Sequence, residues 1–169
     1  ETLKTSIKYL DVLEQTRADP ATIAEAYLSA GSSAKWLGQL QDSEAFLRKG
    51  LTWVPESSSS QPTLRMHLIL VGNLSSVLTR LGKRTEAKVL LERARQLGAK
   101  RLPDDPGYAL LLMNIGRFES GADDRAALIA LEHAERLLAA SNEPEIMEIS
   151  SSRRYLGSAY LDLGVLDKA

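Results

Sequence analysis

The sequence has no cysteine, which removes disulfides, thiolate nucleophiles and cysteine-ligated zinc together. It has two histidines, His67 and His133, and neither has a second ligand one helical turn away of the kind that makes a metal-binding face. Both are read as packing or surface residues. No apolar run approaches the roughly 18 residues that span a bilayer, and residues 1–9 carry no secretory pattern. The chain is therefore read as soluble and expected in the cytoplasm. Charge of one sign is also missing: the formal net charge is -1 over 169 residues, so no global field draws the chain to nucleic acid. No convergent acid, base or nucleophile set is visible. The expectation is a non-enzyme with no catalytic residue, metal or cofactor.

What the sequence does have is punctuation. Asp19-Pro20, Gln61-Pro62, Asp105-Pro106 and Glu143-Pro144 recur at intervals of 42, 44 and 38 residues. Proline suits a first helical turn, where the amide it lacks has no intrahelical partner, and a preceding Asp can cap the same helix. A period near 40 is the mark of a repeat architecture.

Each period contains two apolar-periodic segments separated by a glycine-bearing turn. The first unit is expected to have helices over 21–37 and 43–54, the second over 62–81 and 85–97, the latter ended by Gly98. The third has 106–120 and 125–140. Before them, 1–17 forms an amphipathic helix, and after them 144–163 begins a fourth unit. The second helices share one apolar face: Ala87, Leu90, Leu91, Ala94 and Leu97, then Ala127, Leu131, Ala134 and Leu138, with Ser43, Leu47 and Gly50 repeating it. Such faces must be buried by stacking.

These residues resemble the tetratricopeptide repeat (TPR). Leu156-Gly157, Tyr160, Leu163-Gly164 and Ala169 carry its pattern in full. Ala30-Gly31, Leu37-Gly38 and Ser43, then Leu74-Ser75, Leu81-Gly82 and Ala87, then Ile115-Gly116 and Ala127 carry it in part. The third unit departs most, its turn one residue short and its aromatic, Phe118, displaced. The long period resembles the subtype of about 42 residues found in kinesin light chains and bacterial signalling proteins. The resemblance implies an all-α fold, a right-handed superhelix (α-solenoid) of antiparallel helix pairs. Three full repeats (20–61, 62–105, 106–143) are then flanked by the second helix of a preceding repeat (1–19) and a partial fourth (144–169). The chain is expected to be a piece of a longer protein.

In such a fold the first helices line a concave groove and the second helices form the back. The groove-facing positions implied here are Glu25, Leu28, Ser32 and Lys35; Ile69, Gly72, Asn73, Ser76 and Thr79; Met113, Asn114 and Arg117; and Arg154, Ser158 and Leu161. Asn73 and Asn114 occupy equivalent places, where an Asn either holds a ligand backbone or bridges neighbouring helices. Lys35, Arg117 and Arg154 either receive acidic groups or a free carboxylate, or stay solvated. A full carboxylate clamp cannot be assembled.

Residues 80–101 hold eight cations against two anions, and 119–148 eight anions against two cations. Attraction between adjacent units is the simplest account, with self-association or an acidic partner as alternatives. Trp36 and Trp53 are read as packing residues, ligand anchors being the alternative. The run from Ser57 to Ser60 reads as a flexible link. Leu81-Gly82-Lys83 is no phosphate loop, because Val77 and Arg84 stand where Gly and Ser or Thr are required. The function expected is a protein- or peptide-binding scaffold within a larger regulatory or signalling protein, probing its partner through the groove. A structural spacer or self-association module is the alternative. Nucleic acid and membrane are not expected partners.

Overall fold

The computed structural model describes residues 2–140 together with Gly157, Tyr160 and Leu161. Seven helices follow one another: α1 (Thr2–Gln15), α2 (Pro20–Trp36), α3 (Leu40–Trp53), α4 (Gln61–Arg80), α5 (Arg84–Arg101), α6 (Pro106–Glu119) and α7 (Asp124–Ala140). No strand occurs among the described residues. The expected helix opening at Pro144 lies outside them, apart from the helical Gly157, Tyr160 and Leu161. The chain divides into two compact units, residues 1–94 and 95–169.

Helix starts follow the punctuation. The Asp19 carboxylate accepts from the amides of Ala21 and Thr22, at 2.9 and 3.3 Å, and Asp105 accepts from Gly107 at 2.7 Å. In both, proline opens the helix. At α4 the cap is Ser60, one residue before Gln61, and accepts from Thr63. The end of the serine run therefore belongs to a helix cap rather than to a free link.

Helix ends rely on glycine. Gly38 and Gly82 adopt φ of +78° and +77°, which lets the chain close both backbone bonds of a Schellman motif. Gly38 N–H reaches the Lys35 carbonyl and Gln39 N–H that of Ala34; Gly82 and Lys83 reach Thr79 and Leu78 in the same way. The third turn is built differently. Gly121 also has positive φ, +76°, but its N–H is taken by the Asp124 carboxylate at 2.7 Å. That substitution of a side chain for a carbonyl is the physical form of the irregularity seen in the third unit's sequence.

In the first unit α1 packs on α2, α2 on α3, and α4 on both α2 and α3. Its core includes Leu10, Leu13, Ile23, Ala26, Tyr27 and Ala30, with Phe46 and Trp53 against them. Gly31 admits Leu47: a Cβ there would meet Leu47 Cγ at 2.8 Å. In the second unit α6 packs on α7, and Gly116 admits Leu131 in the same manner, at 2.5 Å. Leucines seated against a partner helix this tightly each contribute about 2–5 kcal/mol over alanine.

Two expectations fail. Gly98 does not end its helix; α5 continues to Arg101, because Gly98 is a contact rather than a stop. A Cβ there would lie 2.2 Å from Cδ2 of Tyr108. Trp36 is not packed: it sits in the last residue of α2, beside the turn, and is 87% exposed.

Candidate functional site

The first-unit candidates form two rows. On α2, Leu28, Ser32 and Lys35 are half-buried, and on α4 so are Ile69, Asn73, Ser76 and Thr79. Spacings of three and four residues put each row on one helix face. Because α3 reverses the chain between them, α2 and α4 run side by side in the same direction. Lys35 Nζ joins the rows by donating to Asn73 Oδ1 at 3.3 Å, across 38 residues of sequence. Asn73 Nδ2 donates to the Ile69 carbonyl at 3.0 Å, and the Thr79 hydroxyl to that of Ser75 at 2.8 Å.

Asn73 thus bridges two helices, one of the two roles open to it from sequence. Its amide retains one N–H and one acceptor lone pair beyond those bonds. Asn114 repeats the local geometry in the second unit, donating from Nδ2 to the Leu110 carbonyl at 3.0 Å. The equivalence of the two asparagines therefore extends to their backbone bond.

Other candidates fall elsewhere. Met113 is buried, 7% exposed, because nearly the whole circumference of α6 is apolar and covered. Gly72 is also buried. Glu25 is exposed and lines a cleft between α1 and α2. Arg117 is exposed on α6, and Leu161 is 56% exposed. Arg154 and Ser158 lie outside the described residues.

The charged side chains assemble two networks that the sequence did not reveal. Glu44, nearly buried on α3, accepts from Lys83 Nζ at 2.8 Å and from Arg48 Nη2 at 2.8 Å, and Arg48 reaches Glu86 at 2.6 Å. The Lys83 hydrogen bond is the main reason the Glu44 carboxyl is held below its ordinary range, and Glu86 is the main reason the Arg48 guanidinium is held above its own. Arg93 pairs with Glu56. So Lys83 and Arg93, from the basic stretch 80–101, turn toward acids on α3 and in the segment just after it. The second network joins three helices: Tyr27 donates to Glu14, and Lys49 pairs with Glu14 at 3.1 Å while lying 5.0 Å from the Tyr27 ring centroid. The Tyr27 hydroxyl lowers the Glu14 pKa, and burial raises that of Tyr27. These groups lie 13 to 35 residues apart, so no local pattern announces them.

The histidines are packed as expected. His67 Nδ1 lies 2.8 Å from the Val54 carbonyl, so that nitrogen carries the hydrogen, and burial lowers the ring's pKa. His133 stands edge-on to Tyr108, centroids 5.8 Å apart. Among the described residues no three His, Asp or Glu side chains gather to hold a metal ion, and no helix is long and apolar enough to cross a membrane.

No protein-family model and no curated protein matches the sequence. Solved structures do match the fold. One is BtubC (BKLC) from P. vanneervenii, a kinesin light chain-like protein of TPR type, at a TM-score of 0.69 and 19% identity over 97% of this chain. The fold is a TPR-like helical repeat. The chain spans 66% of the length of BtubC. At this identity the likeness concerns the scaffold: an all-α repeat of the α-solenoid class.

Proposed function

We propose that this TPR-like chain is a protein-recognition module that takes an extended, acidic peptide segment along the adjoining faces of α2 and α4. The observation that carries the reading is the Lys35–Asn73 contact, which gathers a cation, an amide, three hydroxyls and two apolar side chains on one strip. A peptide backbone finds a paired donor and acceptor in the Asn73 amide. A carboxylate replaces Asn73 Oδ1 at Lys35 with a stronger, charge-assisted bond. Leu28 and Ile69 offer the apolar contact that most recognition strips combine with a few placed polar groups. Asn114 and Arg117 offer the same pair of functions on α6, and Arg154 and Ser158 are proposed as their counterparts in the fourth unit.

The Pro20–Pro62–Pro106 spacing and the likeness to BtubC support assignment to the long-period, kinesin-light-chain-like subtype, and with it a bacterial regulatory or signalling protein. The test is selection of a displayed random-peptide library against the chain. Enrichment of acidic sequences whose binding falls about tenfold or more in Lys35→Glu supports the strip, that factor being the equivalent of one lost charge-assisted bond. Selected peptides indifferent to Lys35→Glu and Asn73→Ala overturn it. No selected peptide, with mass rising with concentration in light scattering, favours self-association instead.

A further inference from the structure

A second recognition element lies along the α1 side of α2. Ser6 and Tyr9, one turn apart on α1, face Thr22, Glu25, Ala26 and Ser29 of α2 across a cleft of about 250 Å³. That volume equals roughly eight waters at about 30 Å³ each and falls below the roughly 300–1,000 Å³ of small-molecule pockets. It is the size of one long side chain. Its chemistry is specific: one carboxylate, three aliphatic hydroxyls, and a tyrosine left 52% exposed.

Glu25 is the only ionised group in the lining, and no hydrogen bond or ion pair reaches its carboxylate from the described residues. The sequence supplies no cation within one turn of it on α2, since Ala21, Thr22, Leu28 and Ser29 occupy those places. On α1, Lys4 and Lys8 fall on the opposite side from Ser6 and Tyr9 by helical phase. An anion entering the cleft meets Glu25 as a repulsion. An apolar group leaves the Glu25 carboxylate without a partner. A group made only of donors, with a positive charge and a flat face, matches both the carboxylate and the Tyr9 ring.

We infer that the α1–α2 cleft binds an arginine side chain of a protein partner, with Glu25 accepting the guanidinium, Tyr9 lying against its face, and the hydroxyls of Ser6, Thr22 and Ser29 beside it. Arginine fits better than lysine because a planar fork meets a carboxylate through two parallel bonds while stacking on an aromatic ring. The cleft is separate from the Lys35–Asn73 strip, so the two readings stand or fall independently.

The probe is N-acetyl-arginine amide, titrated into the isotope-labelled chain and followed by amide chemical shifts. Neutral N-acetyl-citrulline amide, of the same shape, is the control. Saturable shifts are expected at residues 6, 9, 22, 25 and 29, in the millimolar range, weakening as salt is raised. Glu25→Gln, an exposed change that leaves the fold intact, weakens binding about tenfold or more. Tyr9→Leu weakens it several-fold and Tyr9→Phe restores it. Lys35→Glu leaves these shifts unchanged. Equal binding of the citrulline compound, indifference to Glu25→Gln, or shifts centred on the α2–α4 strip overturn the proposal.

Discussion

Ser43 and Ser75 carry the same hydroxyl into opposite situations. Ser43 on α3 is wholly buried and donates to the Gly31 carbonyl at 2.7 Å, stitching α3 to α2. On α5 the small residue at the corresponding place is Ala87, and the hydroxyl has moved to α4 as Ser75, where its oxygen is buried with no partner. Removing a satisfied buried donor strands its acceptor, whereas removing an unsatisfied one relieves a desolvation penalty. Ser43→Ala should therefore destabilise the chain by about 1–2 kcal/mol and Ser75→Ala stabilise it by about 1 kcal/mol, read as shifts of the urea midpoint at constant slope. Tyr160 offers a second residue-level check. Its hydroxyl donates to Glu132 at 2.6 Å, and that bond pushes its pKa up to about 12. Ultraviolet titration should show one tyrosine ionising about two pH units above the ordinary value, and Glu132→Gln should bring it back toward that value.

At the scale of elements, glycine does two unlike jobs that read alike in sequence. Gly82 needs its left-handed backbone and has nothing within 4 Å of a would-be Cβ. Gly82→Ala should cost about 1–2 kcal/mol through backbone strain, and Gly82→Asn should recover part of it because Asn tolerates that region. Gly98 is ordinary helix, where alanine is intrinsically better by about 0.5–1 kcal/mol, yet the Tyr108 ring blocks the added methyl and is itself 3% exposed and unable to swing away. Gly98→Ala should therefore still lose about 1–3 kcal/mol through overpacking. Thermal unfolding of the three variants separates the two causes. The contrast also explains what was legible beforehand. Proline spacing, capping Asp19 and Asp105, turn glycines 38, 82 and 121, and the faces holding Leu47, Ala87 and Leu131 obey local rules, so seven helices could be placed to within a few residues. Gly98 and the exposed Trp36 could not, because a contact with Tyr108 or its absence is decided by side chains from another helix. The candidate site divides the same way: the resemblance to the tetratricopeptide repeat implied the rows on α2 and α4, while the Lys35–Asn73 contact, the burial of Met113 and the place of Glu25 beside α1 depend on how helices meet.

Over the whole molecule the perturbed groups fall into two sets whose signs set the pH range of stability. Glu14 and Glu44 titrate below the ordinary 4.5 and His67 below 6.5. For each, the unfolded chain binds protons first on acidification, so its contribution is complete above the unfolded value and is lost as pH falls through the depressed folded one. Tyr27 and Lys49 titrate above 10.0 and 10.5, and Tyr160 near 12. Their contributions are complete below the unfolded values and disappear as pH rises through the raised ones. Stability should therefore be greatest between about pH 6.5 and pH 10 and fall on both sides, with carboxylate pairs adding to the acid limb only below about 4.5. The first part of that limb belongs to His67, whose protonation charges a half-buried ring. His67→Asn keeps an N–H near the place of Nδ1 to donate to Val54 but cannot take up a proton. Urea midpoints measured from pH 4 to 8 should fall below pH 6.5 in the parent chain and stay level down to about 5 in this variant. An unchanged slope between pH 6.5 and 5 in His67→Asn would show that His67 does not carry that part of the limb, leaving to Glu14 and Glu44 only the fall at lower pH, where their loss of charge opens the ion pairs to Lys49, Arg48 and Lys83.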